Sequence, residues 1–335
     1  MGFFQRLRFH ELVLIGILIV LLVLPLFIQL TWQKILIQTF LLMFLCSAFN
    51  IGASAGQFNL MIGVAYGSVA YVSTILWKEF HFSPWIMFLV GPVIAAFFGT
   101  IVGIPIFKYK LPLLAFAIVT LAFNEIFTFV ITGTDYLGRT DGLIISFVKS
   151  DPVNFHWITA LPYYYFALAM VVAIVIFCRF IFNSKLGIYL KSIYQNEVAA
   201  SAAGVDIFKY KMIAMLITMA LLGFAGNFWA HYKCFVNPET TVSVRFVLDI
   251  AVLTVIGGMG TVWGPILASG ILVPILEYAK TYGALIPGID DIIYGVTIIV
   301  VLLFLKAGIV PWFERRRLQM RLAQLTHSPG EKSPS

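Results

Sequence analysis

The chain has 335 residues, of which 61% are hydrophobic and only 11% charged, with a formal net charge of +7. Soluble domains carry about 25% charged residues and lack long uninterrupted apolar runs. A soluble fold is therefore excluded, and nucleic acid is not an expected partner, because membrane topology accounts for the positive balance.

At the N-terminus, Arg6 and Arg8 precede an apolar run over 12–30, the arrangement of a secretory signal. That run exceeds the roughly 7–15 residues of a signal core, and no small-residue cleavage site follows it. A retained first span is expected. A helix crossing the hydrocarbon needs about 20 mostly apolar residues. Applied along the chain, this places spans near 11–31, 35–51, 58–77, 84–106, 111–132, 162–182, 210–230, 242–258, 261–279 and 288–305. The fold class is all-α: a polytopic transmembrane bundle of about ten spans. The stretch 242–279 is barely long enough for two spans, and a re-entrant pair of half-helices is the alternative. Two connections are long, 133–161 and 183–209, and the second has amphipathic helical character. Connections of that length are often functional. A membrane domain over 1–310 is followed by a basic tail over 311–335, Ser/Pro-rich at its end and expected to be partly disordered.

Lysine and arginine stay on the cytoplasmic side. With the N-terminus inside, 15 of the 22 basic residues fall on inner segments, Lys108, Lys110, Lys185, Lys191 and Arg315 to Arg317 among them, against 7 outside. Both termini are expected to be cytoplasmic.

Chemistry-bearing residues are sparse. Cys46, Cys178 and Cys234 are too far apart to suggest a disulfide framework or metal spacing, and read as small apolar filler. His10, His81, His156, His231 and His327 are scattered, without H-E-x-x-H. A G-x-x-x-x-G-K-[ST] phosphate loop does not occur. No catalytic residue, metal or cofactor is expected, and the chain does not read as an enzyme. Glu125 and Asp249 lie inside predicted spans, where an ionisable group costs roughly 2.5–3.5 kcal/mol. They belong either to a translocation path or to the polar contacts that hold helices together.

Glycine lets backbones approach closely and lets a helix break where it lines a cavity. Three glycine-rich segments occur: AGQFNLMIGVAYGSVAY at 55–71, TGTDYLGRTDGL at 132–143 and GGMGTVWGP at 257–265. Together with Thr120-Leu121-Ala122-Phe123-Asn124-Glu125-Ile126, they make the chain resemble, from about 41 to 305, the permease subunits of branched-chain amino-acid ABC importers. Members of that family carry an AGQ-x-S-L-G-H-A-type segment, a T-L-A-F-x-E-I run, a DGL-like outer loop and GG-x-G-[ST]-x-WGP. This chain departs from the pattern at Asn59-Leu60-Met61-Ile62, at Thr128, where an arginine is usual, and at Tyr136 to Arg139 in the outer loop. These departures bear on the solute rather than the fold.

The resemblance implies a translocation path or gate near Gln57, Asn59, Glu125, Asp249, Gly257, Gly258, Gly260, Trp263 and Gly264, and an outer loop marked by Asp141 and Gly142. The inner stretch SIYQNEVAASAAGVD, 192–206, is similar to the EAA-x-x-x-G loop of ABC permeases, with Glu197, Ala199, Ala200 and Gly204 as the ATPase-coupling residues. An ordinary amphipathic linker is the alternative for this stretch. Implied partners are two ABC ATPase subunits, a second related permease and an extracytoplasmic solute-binding protein, in a bacterial inner membrane. Composition alone also fits a secondary carrier, and urea, amide or sugar permeases share the architecture. The coupling loop and the GGMGTVWGP string favour the ABC permease.

Overall fold

The structure is a computed structural model that describes residues 16–146, 150–283 and 295–296. The expected span 288–305, the tail 311–335 and the segment before Gly16 lie outside the described residues, save for 295–296. The short apolar helix α1, Gly16–Leu26, ends in a 3-10 turn carrying Pro25. There follow α2 (Leu30–Ala53), α3 (Ile62–Phe80), α4 (Pro84–Lys108) and α5 (Leu113–Gly133). A long connection leads to α6 (Leu161–Asn183), then two short helices, α7 (Lys185–Gln195) and α8 (Glu197–Ala202), and the long α9 (Ile207–Lys233). The chain closes with α10 (Pro238–Thr241), α11 (Val244–Gly257) and α12 (Trp263–Gly283). Two two-residue strands, β1 (Leu143–Ile144) and β2 (Phe235–Val236), pair antiparallel with Leu143 opposite Val236.

Among the described residues, six helical segments are long and apolar enough to cross a membrane. The most apolar stretch of α2 is 78% buried and that of α9 67%, whereas that of α5 is only 22% buried. The first two therefore form the centre of the bundle, and α5 stands at its rim. α9 packs along α2, α3 and α4, while α6 and α12 flank α2. Close approach needs small residues: Gly226 of α9 lies so near the Tyr66 carbonyl of α3 that a β-carbon would overlap it.

Two expected spans differ from the structure. The one placed at 58–77 starts only at Ile62, because 54–61 leaves the helix. The one placed at 242–258 is a helix of 14 residues, about 21 Å long, short of the roughly 30 Å hydrocarbon. The four-residue α10 continues it beyond a break at Val242-Ser243, where the Ser243 hydroxyl caps α11 by accepting from Phe246 N at 3.2 Å.

Candidate functional site

The unwound stretch between α2 and α3 is the first element of the site. α2 ends in a tight turn, with Ala55 N donating to Gly52 O at 2.9 Å and Gly56 N to Ala53 O at 3.0 Å. The chain then runs without regular structure through Gln57, Asn59, Leu60 and Met61, all buried. Two of its polar groups are met by other helices. Gln57 Nε2 donates to Lys211 O of α9 at 2.6 Å, and Leu60 N donates to Thr120 Oγ1 of α5 at 3.0 Å. Asn59 folds back, accepting from Met61 N at 3.0 Å, while its amide points to Met219 Sδ at 3.6 Å. Met219 lies twelve residues into α9, about 18 Å along it. Irregular backbone at that depth is tolerated only when protein or a water-filled cavity surrounds it.

The second break, at Val242-Ser243, meets the same region. Asn124 Nδ2 donates to Val242 O at 2.7 Å, and Thr128 Oγ1 reaches the same oxygen at 3.3 Å. Thr120 and Asn124, one turn apart on α5, thus meet the stretch after α2 and the break at Val242 respectively. Asn124, not its neighbour Glu125, is the fully buried residue of this pair. Glu125 is half-buried on the rim helix, and among the described residues no hydrogen bond or ion pair reaches it. Asp249 lies on α11, half-buried and lining a cavity with both apolar and polar walls.

The GGMGTVWGP segment is the hairpin between α11 and α12. Gly257 and Gly264 cross backbone to backbone, so a β-carbon on either would overlap the other strand of the hairpin. Asn50 of α2 grips the bend from both sides: its Oδ1 accepts from Gly260 N at 2.7 Å, and its Nδ2 donates to Thr261 O at 2.7 Å. Gly258, with φ +107°, lets the chain leave α11, and Trp263 packs under the Arg179 guanidinium at 5.2 Å.

On the end of the bundle that carries α7 and α8, Asn196 caps α8 by accepting from Ala199 N at 3.0 Å, and Asp206 caps α9 by accepting from Lys209 N at 3.0 Å. Glu197 pairs with Lys211. Gly204 has φ +85° and open space around it, so it is there for its backbone and not for packing. Of the expected coupling residues, Glu197, Ala199 and Gly204 are exposed and Ala200 is buried. Val198 is 80% exposed, beside exposed Tyr194 and Ile188. This segment touches the break directly. Leu190 of α7 packs with Ala55 and Ala214, Tyr194 lies against Gly56, and Gln57 is tied to α9 one turn from its start.

The opposite end carries Asp141, exposed, and Gly142, whose φ of +78° and contact with Val236 O hold β1 beside β2. Here sequence reasoning missed a buried polar chain. Ser73 donates its single hydrogen to Asn227 Oδ1 at 2.6 Å, so His231 Nε2, 2.8 Å away, must donate to Ser73. His231 Nδ1 is then the acceptor, and His156 Nε2 donates to it across 3.3 Å. Asn227 passes the polarity on to Pro84 O at 3.0 Å. This chain anchors the outer connection to α3 and α9. Burial holds the His156 imidazole below its ordinary value, with Asp151 opposing the shift. His156 and His231 are 75 residues apart in sequence, so no spacing could have signalled them.

Helices that break inside a bundle, with their freed backbone met by buried amides and hydroxyls, define a multi-pass membrane transport protein. The family model for the permease component of branched-chain amino acid transport systems matches residues 31–302. The chain belongs to that family. It is similar to the high-affinity branched-chain amino acid transport system permease protein LivM of Salmonella typhimurium (strain LT2), at 24% identity over 86% of this chain and 72% of that protein. LivM of Escherichia coli (strain K12) is 25% identical over 73% of this chain and 63% of its own length. The nucleoside ABC transporter permease protein NupC of Lactococcus lactis subsp. cremoris is 24% identical over 77% and 85%. No solved structure matches.

Proposed function

We propose that the chain is the membrane-spanning subunit of an ATP-driven importer for branched-chain or related amino acids in a bacterial inner membrane. It crosses about ten times with both termini cytoplasmic, pairs with a second permease, receives solute from a binding protein outside, and is driven by two ATPase subunits on the α7–α8 side. The carrying observation is the packing of α7 against the break after α2, through Leu190 on Ala55 and Tyr194 beside Gly56. An exposed helix that docks an ATPase would transmit its motion straight to the unwound backbone. Nucleotide drives such a cycle only by binding one arrangement more tightly than the other.

Glu125 would face the path between two permeases. An ionisable group on the exposed side of α5 is costly against lipid and tolerable against water or a partner. The hairpin glycines Gly257, Gly258, Gly260 and Gly264, with Trp263, would move with α11 as one body around Asn50. Nucleosides are the second reading, favoured by the comparable identity to the lactococcal nucleoside permease. The test is co-purification of the chain with its ATPases, followed by uptake of a panel of leucine, isoleucine, valine, urea and nucleosides into proteoliposomes. ATP-dependent uptake of branched-chain amino acids supports the reading; uptake of nucleosides or urea alone would refute the substrate, and ATP-independent uptake would indicate a carrier.

A further inference from the structure

Helices α2, α3, α9, α10, α11 and α12 wall a cavity of about 460 Å³, with the exposed Glu239 of α10 at its edge, within the roughly 300–1,000 Å³ of small-molecule sites. Its lining has two chemistries. Tyr66 and Phe246, with ring centroids 4.9 Å apart, give an apolar wall. Arg245 and Asp249, one turn apart on α11, and Glu277 on α12 bring a cation and carboxylates to the same space. Arg245, Asp249 and Glu277 also interact within the protein. Asp249 and Glu277 are half-buried and Arg245 is exposed at the rim; ionisable side chains inside a bundle mark substrate or ion pathways.

A second observation is independent of the charges. Trp229, more than nine-tenths buried, lines the same cavity, and among the described residues its indole N–H meets no acceptor. Gln38 lines it too, and its buried Oε1 meets no donor among the described residues. Buried donors and acceptors are nearly always met, so the chain leaves one of each for a polar ligand at one place.

We infer that this cavity, inside a single protomer, binds an α-amino acid. Its ammonium lies among the carboxylates of Asp249 and Glu277, its carboxylate takes Arg245 and the Trp229 N–H, and its aliphatic side chain rests on Tyr66 and Phe246. This rests on the reading of the chain as an amino-acid permease and adds a place where solute stops on the way through.

The test uses the complete importer in nanodiscs, without binding protein, and measures equilibrium binding of L-leucine, with 4-methylpentanoate (no ammonium) and 3-methylbutylamine (no carboxylate) as competitors. The proposal expects only L-leucine to bind well, with Trp229→Phe and Asp249→Asn each weakening it about tenfold. Leu41→Phe, which fills the cavity without touching a charge, should weaken it as well, in protein that remains monodisperse. Leucine uptake by the wild-type importer with unchanged binding in all three variants would overturn the site and leave the permease reading intact. A wild-type importer that transports no amino acid would overturn both.

Discussion

His156 carries the clearest pH signature outside the spans. Its imidazole is neutral, buried, and locked as the Nε2–H tautomer by the chain through His231, Ser73 and Asn227. Its proton affinity is lower in the folded chain than the ordinary 6.5. The unfolded chain therefore binds the extra proton first as pH drops. Stability from this group is complete above about 6.5 and is lost as pH falls toward the lowered folded value. The melting temperature in detergent should drop between about pH 7 and pH 5. In His156→Gln, which keeps a donor for His231, that slope should flatten, at about 1 kcal/mol of stability near neutrality. Parallel pH profiles for the two proteins would refute the assignment. Glu125 makes a different prediction, because no partner within the described chain needs its charge. Glu125→Gln should assemble and melt like the wild type yet lower uptake about tenfold, equivalent to ~1.4 kcal/mol in the barrier. Wild-type uptake rates would make Glu125 a structural residue only.

The helices differ in how far their sequences reveal them. The apolar lengths of α2, α4, α5, α6 and α9 are visible by counting, because each is a continuous helix of 21 or more residues. The bend before α12 is equally legible, since four glycines within eight residues have few other uses. The break at Val242-Ser243 was not visible: it contains no glycine, and its capping serine is an ordinary residue until Asn124 and Thr128 are brought to it by the fold. At the inner end, the alanine-rich pattern marked α8, but only packing shows that Ala200 turns inward while Val198 is presented. Val198→Asp should therefore leave insertion and folding unchanged, since the side chain touches solvent, and sharply reduce recovery of ATPase subunits in a detergent pull-down. Gly204→Val should do the same by a different route, because φ +85° strains a β-branched residue by about 1–2 kcal/mol and reorients the entry to α9. Full ATPase recovery with both variants would remove α8 from the contact.

The whole molecule has two ends with different jobs. One carries the β1–β2 pair and the histidine chain, the other α7 and α8 with Lys185, Lys191, Lys209 and Lys211. Cysteines placed at Arg139 and Lys191 should react with a membrane-impermeant maleimide from opposite sides of intact cells; labelling of both from one side would reject the topology. Between these ends, the central claim is that α7 drives the break at Ala55 to Gln57. Gln57→Leu tests it most directly, because the substitution removes the donor to Lys211 O and also an unmet buried Oε1, so the fold has little to lose. The measurement is the number of ATP molecules hydrolysed per leucine imported in proteoliposomes containing the full importer. The account predicts normal ATPase binding and hydrolysis with a ratio raised several-fold; an unchanged ratio at wild-type uptake would contradict it.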